Sequence, residues 1–196
     1  MLNNLEFDHA DIFPDLPSIQ RQFHHVVRTV PQSGCVITPD EKSLREVIDM
    51  GLWSRLQWLS GDKSVIQMID SNVDQSQFTL AIRKSAVEKN ESVVQATVNW
   101  QLCGEHNLFN AIAAVAASRE VGVSLNTACA ALNEFVNTKR RLELLGEING
   151  VRVFDDFAHH PTAIKTTLLA LRNKYSQGKI LAVVEPRSNT MKMGVH

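Results

Sequence analysis

The sequence has no apolar run approaching the roughly 18 residues that cross a bilayer as a helix. It has no CxxC pair; Cys35, Cys103 and Cys129 stand singly along the chain. An odd count without metal-ligand spacing argues against a disulfide framework or structural zinc and suits a reducing, cytoplasmic setting. Neither charge dominates, since 20 basic and 21 acidic side chains give a net charge of −1. The densest basic group is Lys139, Arg140 and Arg141, too short for a polybasic patch, so nothing draws the chain to nucleic acid or a membrane. The N-terminus, MLNNLEFDHADIF, lacks the cationic and apolar regions of a signal peptide.

Three catalytic fingerprints are also missing. There is no GxxxxGK[ST] and hence no P-loop, no GxGxxG after a strand, and no GxSxG. The chain therefore carries no phosphate-gripping loop, dinucleotide fingerprint or nucleophile elbow of its own.

What is present is ordinary globular material, 44% hydrophobic and 21% charged over 196 residues, enough for one large domain or one and a half smaller ones. Residues 2–5 read as the end of a buried strand, and ILAVVEPRSNTMKMGVH stops where a helix should follow, the pattern of an excised segment. Asp15 and Pro17 open a helix whose apolar positions run from Ile19 to Val30, with Pro31 as its stop. GCVIT at 34–38 reads as a buried strand and 41–50 as a short helix. From 54 to 102, β-branched runs separated by turn residues predict an antiparallel meander. Helices follow at 107–121 and from Ser124 to about 136. VRVFDD, the helix 161–175 and KILAVVE then predict a parallel βαβ unit. The fold class is α/β with a small antiparallel sheet, divided between domains of 1–147 and 148–196.

Five polar constellations exceed what packing requires. Glu6, Asp8, His9 and Asp11 follow a strand end, where a carboxylate and an imidazole can hold a divalent cation beside phosphates; the alternative is a turn whose acids cap the next helix. In GEHNLFNA, Asn107 and Asn110 share one helical face, and an amide's donor and acceptor suit the N6/N7 edge of adenine; the alternative is capping by His106 and Asn107. Lys139, Arg140 and Arg141 offer a phosphate clamp or a solvated charge run. FDDFAHHPTA at 154–163 crowds two acids and two histidines between a strand and a helix. Asp155 or Asp156 can accept from a ribose diol, while His159 and His160 can orient substrate. Arg187, Ser188, Asn189 and Thr190 form a loop of anion-binding composition.

In that order, DHAD, GEHNLFNA, RRLE, FDDFAHHPTA and EPRSNTMKMG resemble the Mur ligase family over residues 3–194. The resemblance implies a central ATPase domain up to about residue 147 and the opening of a Rossmann-like C-terminal domain. It implies ATP and Mg2+ as cofactors, and UDP-N-acetylmuramate and a recycled murein tripeptide as small-molecule substrates. The branch that adds L-alanine to UDP-N-acetylmuramate is the alternative. By the same resemblance, His9 is the ligand of a second magnesium, Asn107 and Asn110 meet adenine, Arg141 approaches the phosphates and Asp156 binds ribose. His159, His160, Arg187, Ser188 and Asn189 face the substrate, with Arg141, His159 and His160 nearest the chemistry. The missing P-loop places this piece downstream of the phosphate loop, inactive alone, with the rest of the same polypeptide as its partner. A non-catalytic nucleotide- or precursor-binding module and a stand-alone metal-dependent hydrolase built on DHAD and AHHP remain as other readings.

Overall fold

The computed structural model describes residues 1–82, 94–185 and 194. The first helix, α1 (Leu16–Val27), forms where its signals lie: the Asp15 carboxylate accepts from Ser18 N at 2.8 Å, satisfying a backbone donor that no helical carbonyl can reach. A four-residue strand β1 (Cys35–Thr38), the helix α2 (Lys42–Asp49) and the strand β2 (Arg55–Trp58) follow, and β2 pairs with β1 in parallel from Cys35↔Arg55 to Thr38↔Trp58. Residues 55–58 thus belong to a βαβ unit and not to the expected meander. Their short run lies beside β1 once α2 has crossed over, and Val36, Ile37, Leu44 and Val47 are buried in that unit.

The antiparallel sheet is three-stranded: β3 (Ile66–Ser71), β4 (Gln77–Ile82) and β5 (Gln95–Asn99), in the order β3-β4-β5. Its buried face holds Ile66, Phe78, Leu80 and Val98, with Trp100 meeting Phe78 edge-on at 5.4 Å. Two helices, α3 (Glu105–Arg119) and α4 (Leu125–Asn133), close this core through Leu108, Ile112, Val115 and Leu125. Ser124 caps α4, accepting from Thr127 N, but the helix ends at Asn133, short of the expected 136. A second core gathers Leu2, Leu5, Ile19, Val27, Val36, Leu44 and Val47. Residues 2–5 form no strand, although Leu2 N donates to Ile37 O at 2.9 Å along the edge of β1.

The last third departs most from expectation. β6 (Glu143–Ile148) and β7 (Val151–Asp155) form an antiparallel hairpin across Asn149 and Gly150, whose φ values of 51° and 78° give a two-residue turn of the primed kind. This hairpin spans the division expected at 147–148. After β7 comes α5 (Pro161–Lys174), but residues 179–185 form no strand, so the expected parallel βαβ unit is not made among the described residues. β7 has β6 as its ladder partner, and no neighbouring strand receives 179–185. Ile148, Val151 and Val153 remain exposed. An open apolar groove of about 720 Å³, lined by Ile164, Leu168, Leu169, Ile180 and Ala182, runs beside α5.

Candidate functional site

The site forms where three loops meet the N-terminus of α3. Gly104 precedes α3 with φ 93° and ψ 148°, a backbone conformation that glycine alone takes without strain. A Cβ at Gly104 would stand 2.5 Å from Ala170 Cβ on α5 and 2.9 Å from His106 Cε1. The missing side chain is therefore what lets α5 reach the start of α3. Lys174 Nζ adds a hydrogen bond to Gln101 O at 2.8 Å.

The two asparagines are tied down separately. Asn107 Nδ2 donates to Cys103 O at 2.8 Å, and Asn110 Oδ1 accepts from Asn3 Nδ2 at 3.0 Å. Capping by His106 or Asn107 is not what the structure contains: the N-cap is Gly104, without a side-chain cap bond. His106, which sequence reasoning took only as a possible cap, lies in the fields of Asp156 and Arg141. Burial pushes its imidazole below the usual value of 6.5, with Asp156 opposing and Arg141 reinforcing that shift. Its Nδ1 is buried with no hydrogen-bond partner among the described residues. The available signal was the field of two charges about 35 and 50 residues away in sequence, which no local pattern carries.

Residues 139–142 and 154–158 form one unit. Asp156 Oδ2 accepts from Leu142 N at 2.6 Å and its Oδ1 from Ala158 N at 2.7 Å. Arg140 Nε reaches Asp155 Oδ2 at 3.2 Å, its guanidinium lies 5.1 Å from the Phe157 ring centroid, and its carbonyl accepts from Phe157 N at 2.8 Å. Arg140 is thus structural, and Asp155 is its counter-ion. Arg141 is exposed, and its guanidinium makes no hydrogen bond or ion pair among the described residues.

The first constellation joins the fourth through Glu6. Thr162 Oγ1 donates to Glu6 Oε2 at 2.7 Å, and His160 Nδ1 lies 3.6 Å from the same oxygen. His160 also caps α5, accepting from Thr162 N at 3.3 Å, while His159 Nδ1 is 2.9 Å from Phe157 O. His9 is exposed with φ 56°; its N–H donates to Asp8 Oδ1 at 2.8 Å, and its carbonyl accepts from Ile12 N and Phe13 N. Asp8 therefore does serve a turn, and that turn projects the imidazole. Arg187, Ser188 and Asn189 lie outside the described residues.

Three groupings result: Asn3 with Asn110, Glu6 with His160, and His106 in the fields of Asp156 and Arg141, while Asn107 is bonded to Cys103 O just before its own helix. That donor set fits a nucleoside: two amides whose other ends are held, a carboxylate with unused lone pairs, and a buried ring nitrogen awaiting a partner. For a metal ion, no group of three or more His, Cys, Asp or Glu occurs among the described residues.

Comparison with known proteins places the chain in a family. The model described as Mur ligase middle domain matches residues 1–118, and that described as Mur ligase, glutamate ligase domain matches residues 140–194. The UDP-N-acetylmuramate–L-alanyl-γ-D-glutamyl-meso-2,6-diaminoheptandioate ligase of Haemophilus influenzae is 50% identical over 100% of this chain and 42% of its own length. A UDP-N-acetylmuramate–L-alanine ligase of Caldicellulosiruptor bescii is 36% identical over 94% of this chain and 40% of its own. The crystal structure of a murein peptide ligase from Psychrobacter arcticus superposes with a TM-score of 0.66 at 44% identity, covering 98% of this chain and 38% of that one. The chain spans about two fifths of the length of the relatives it matches.

Proposed function

We propose a function from one premise: the chain belongs to the Mur ligase family. The polypeptide that carries it is an ATP-dependent, magnesium-requiring cytoplasmic ligase joining UDP-N-acetylmuramate to the L-alanyl-γ-D-glutamyl-meso-diaminopimelate peptide of murein. The names of the relatives that are 50% identical support the peptide over L-alanine as the acceptor. The observation that carries the reading is the pairwise joining of four separate segments, through Asn3–Asn110 on α3, Asp156–Leu142 between two loops and Glu6–Thr162 at the start of α5.

In this reading ATP converts the muramate carboxylate to an acyl phosphate, and the peptide amine displaces phosphate through a tetrahedral intermediate. This chain supplies the adenine, ribose and acceptor side. Asn107 and Asn110 hold the base edge. Asp156 accepts from the ribose hydroxyls with lone pairs that Leu142 N and Ala158 N leave unused. Arg141, with no other partner among the described residues, approaches the phosphates. His9 is the magnesium ligand. His159, His160, Arg187, Ser188 and Asn189 orient the acceptor. With no P-loop, the chain alone holds the nucleotide weakly and does not ligate. Its two modules divide near the β6–β7 hairpin.

The test is a ligation assay on the whole polypeptide, reading ADP release and product mass. Product should require both UDP-N-acetylmuramate and tripeptide. Efficient product from L-alanine in place of tripeptide would move the protein to the other branch, and ADP release independent of both substrates would overturn the ligase reading.

A further inference from the structure

The two asparagines at the start of α3 are not free to turn. A carbonyl oxygen only accepts, so the contact of 2.8 Å from Asn107 to Cys103 O commits the Asn107 NH2 group to the protein and leaves its Oδ1 to face a ligand. Asn110 is the complement. Its Oδ1 takes the proton of Asn3 Nδ2 at 3.0 Å, which leaves its NH2 group unengaged among the described residues. Asn3 itself is held, because Leu2 and Leu5 on either side are buried and Leu2 N is bonded to Ile37 O at 2.9 Å. The orientation of the Asn3–Asn110 pair follows from burial. Asn3 Oδ1 is buried without a partner, and turning both amides over would bury an NH2 group with two unmatched protons in its place.

The pair therefore presents one acceptor and one donor, side by side on one helical face. Adenine matches this along its N6/N7 edge, giving a proton from N6 and accepting at N7, whereas guanine offers two acceptors there. We propose that Asn3 is the positioning residue that makes this edge specific for adenine, by fixing which end of the Asn110 amide faces the base. This rests on the nucleotide reading above and adds a residue that does not touch the nucleotide.

The test compares ATP with 7-deaza-ATP, which lacks the N7 acceptor, on the whole polypeptide. The unsubstituted protein should prefer ATP about tenfold in kcat/KM, carried by KM, as expected for loss of one base-edge hydrogen bond. In Asn3→Asp the carboxylate only accepts, so Asn110 must turn its NH2 inward and offer oxygen to N7. The preference should then vanish or reverse, with kcat at saturating nucleotide retained. Asn3→Ala, which releases the amide, should fall between the two. If Asn3→Asp weakens ATP and 7-deaza-ATP by the same factor, Asn3 is merely structural and the inference fails. If the unsubstituted protein does not distinguish the two nucleotides, the adenine reading of Asn107 and Asn110 fails first.

Discussion

The junction at Gly104 gives the sharpest stability prediction. Gly104→Ala introduces a methyl group that must sit 2.5 Å from Ala170 Cβ and 2.9 Å from His106 Cε1, at a φ of 93°. The backbone strain costs on the order of 1–3 kcal/mol. Overpacking against α5 adds about 1–3 kcal/mol, because Ala170 is 1% exposed on a helix that cannot yield without leaving the site. Together these give roughly 4 kcal/mol, or a fall in Tm of about 10 °C for a protein of this size. Thermal unfolding followed by circular dichroism reads the shift. A second substitution separates the two causes. Ala170→Gly alone should cost about 1 kcal/mol as a helix-interior glycine. Combined with Gly104→Ala it should recover about 1–3 kcal/mol of the overpacking and none of the strain. Additive losses in the double variant, or a Gly104→Ala effect below about 1 kcal/mol, would refute the claim that a missing side chain joins α5 to α3.

Three further outcomes follow from the site. Asp156→Ala strands the Leu142 and Ala158 N–H groups, so it should cost about 2 kcal/mol and raise KM for ATP more than KM for peptide; the reverse order of KM effects would remove the ribose role. His9→Ala, at an exposed turn, should change stability by less than about 0.5 kcal/mol yet shift the magnesium requirement, and unaltered metal dependence would take His9 out of the site. Burial holds His106 below 6.5, so the unfolded chain binds its proton first; the stability from keeping it neutral is present above pH 6.5 and is lost as pH falls from there through the folded value. His106→Phe should flatten that acid limb, measured as Tm against pH, and a limb as steep as before would assign it to other groups.

Much of this architecture was legible locally. Asp15 and Ser124 announce their helices because a cap is a contact between residues three apart, and the strands β3 to β5 are β-branched runs set off by turn residues. The β6–β7 hairpin was also written in the sequence, as Asn149-Gly150 between Ile148 and Val151, and was hidden by reading VRVFDD as a lone parallel strand. The parallel partner of β1 could not be read from Arg55–Trp58, since four residues carry too little periodicity to distinguish neighbours. At the site, residue types and motif order singled out loops that the fold brings into contact through Glu6–Thr162 and Asp156–Leu142. The division of labour within them is long-range: Arg140 is bound by Asp155 while Arg141 is left exposed, and His106 is set between Asp156 and Arg141. Asn3 lies 107 residues from the amide it holds, and only the fold brings them together.

The central claim is that these loops make one nucleotide site. A crystal structure of the whole polypeptide with a non-hydrolysable ATP analogue tests it most directly. The account predicts adenine within hydrogen-bond distance of Asn107 Oδ1 and Asn110 Nδ2 and ribose hydroxyls on Asp156. A nucleotide bound with its base away from α3, or ribose held without Asp156, would contradict it.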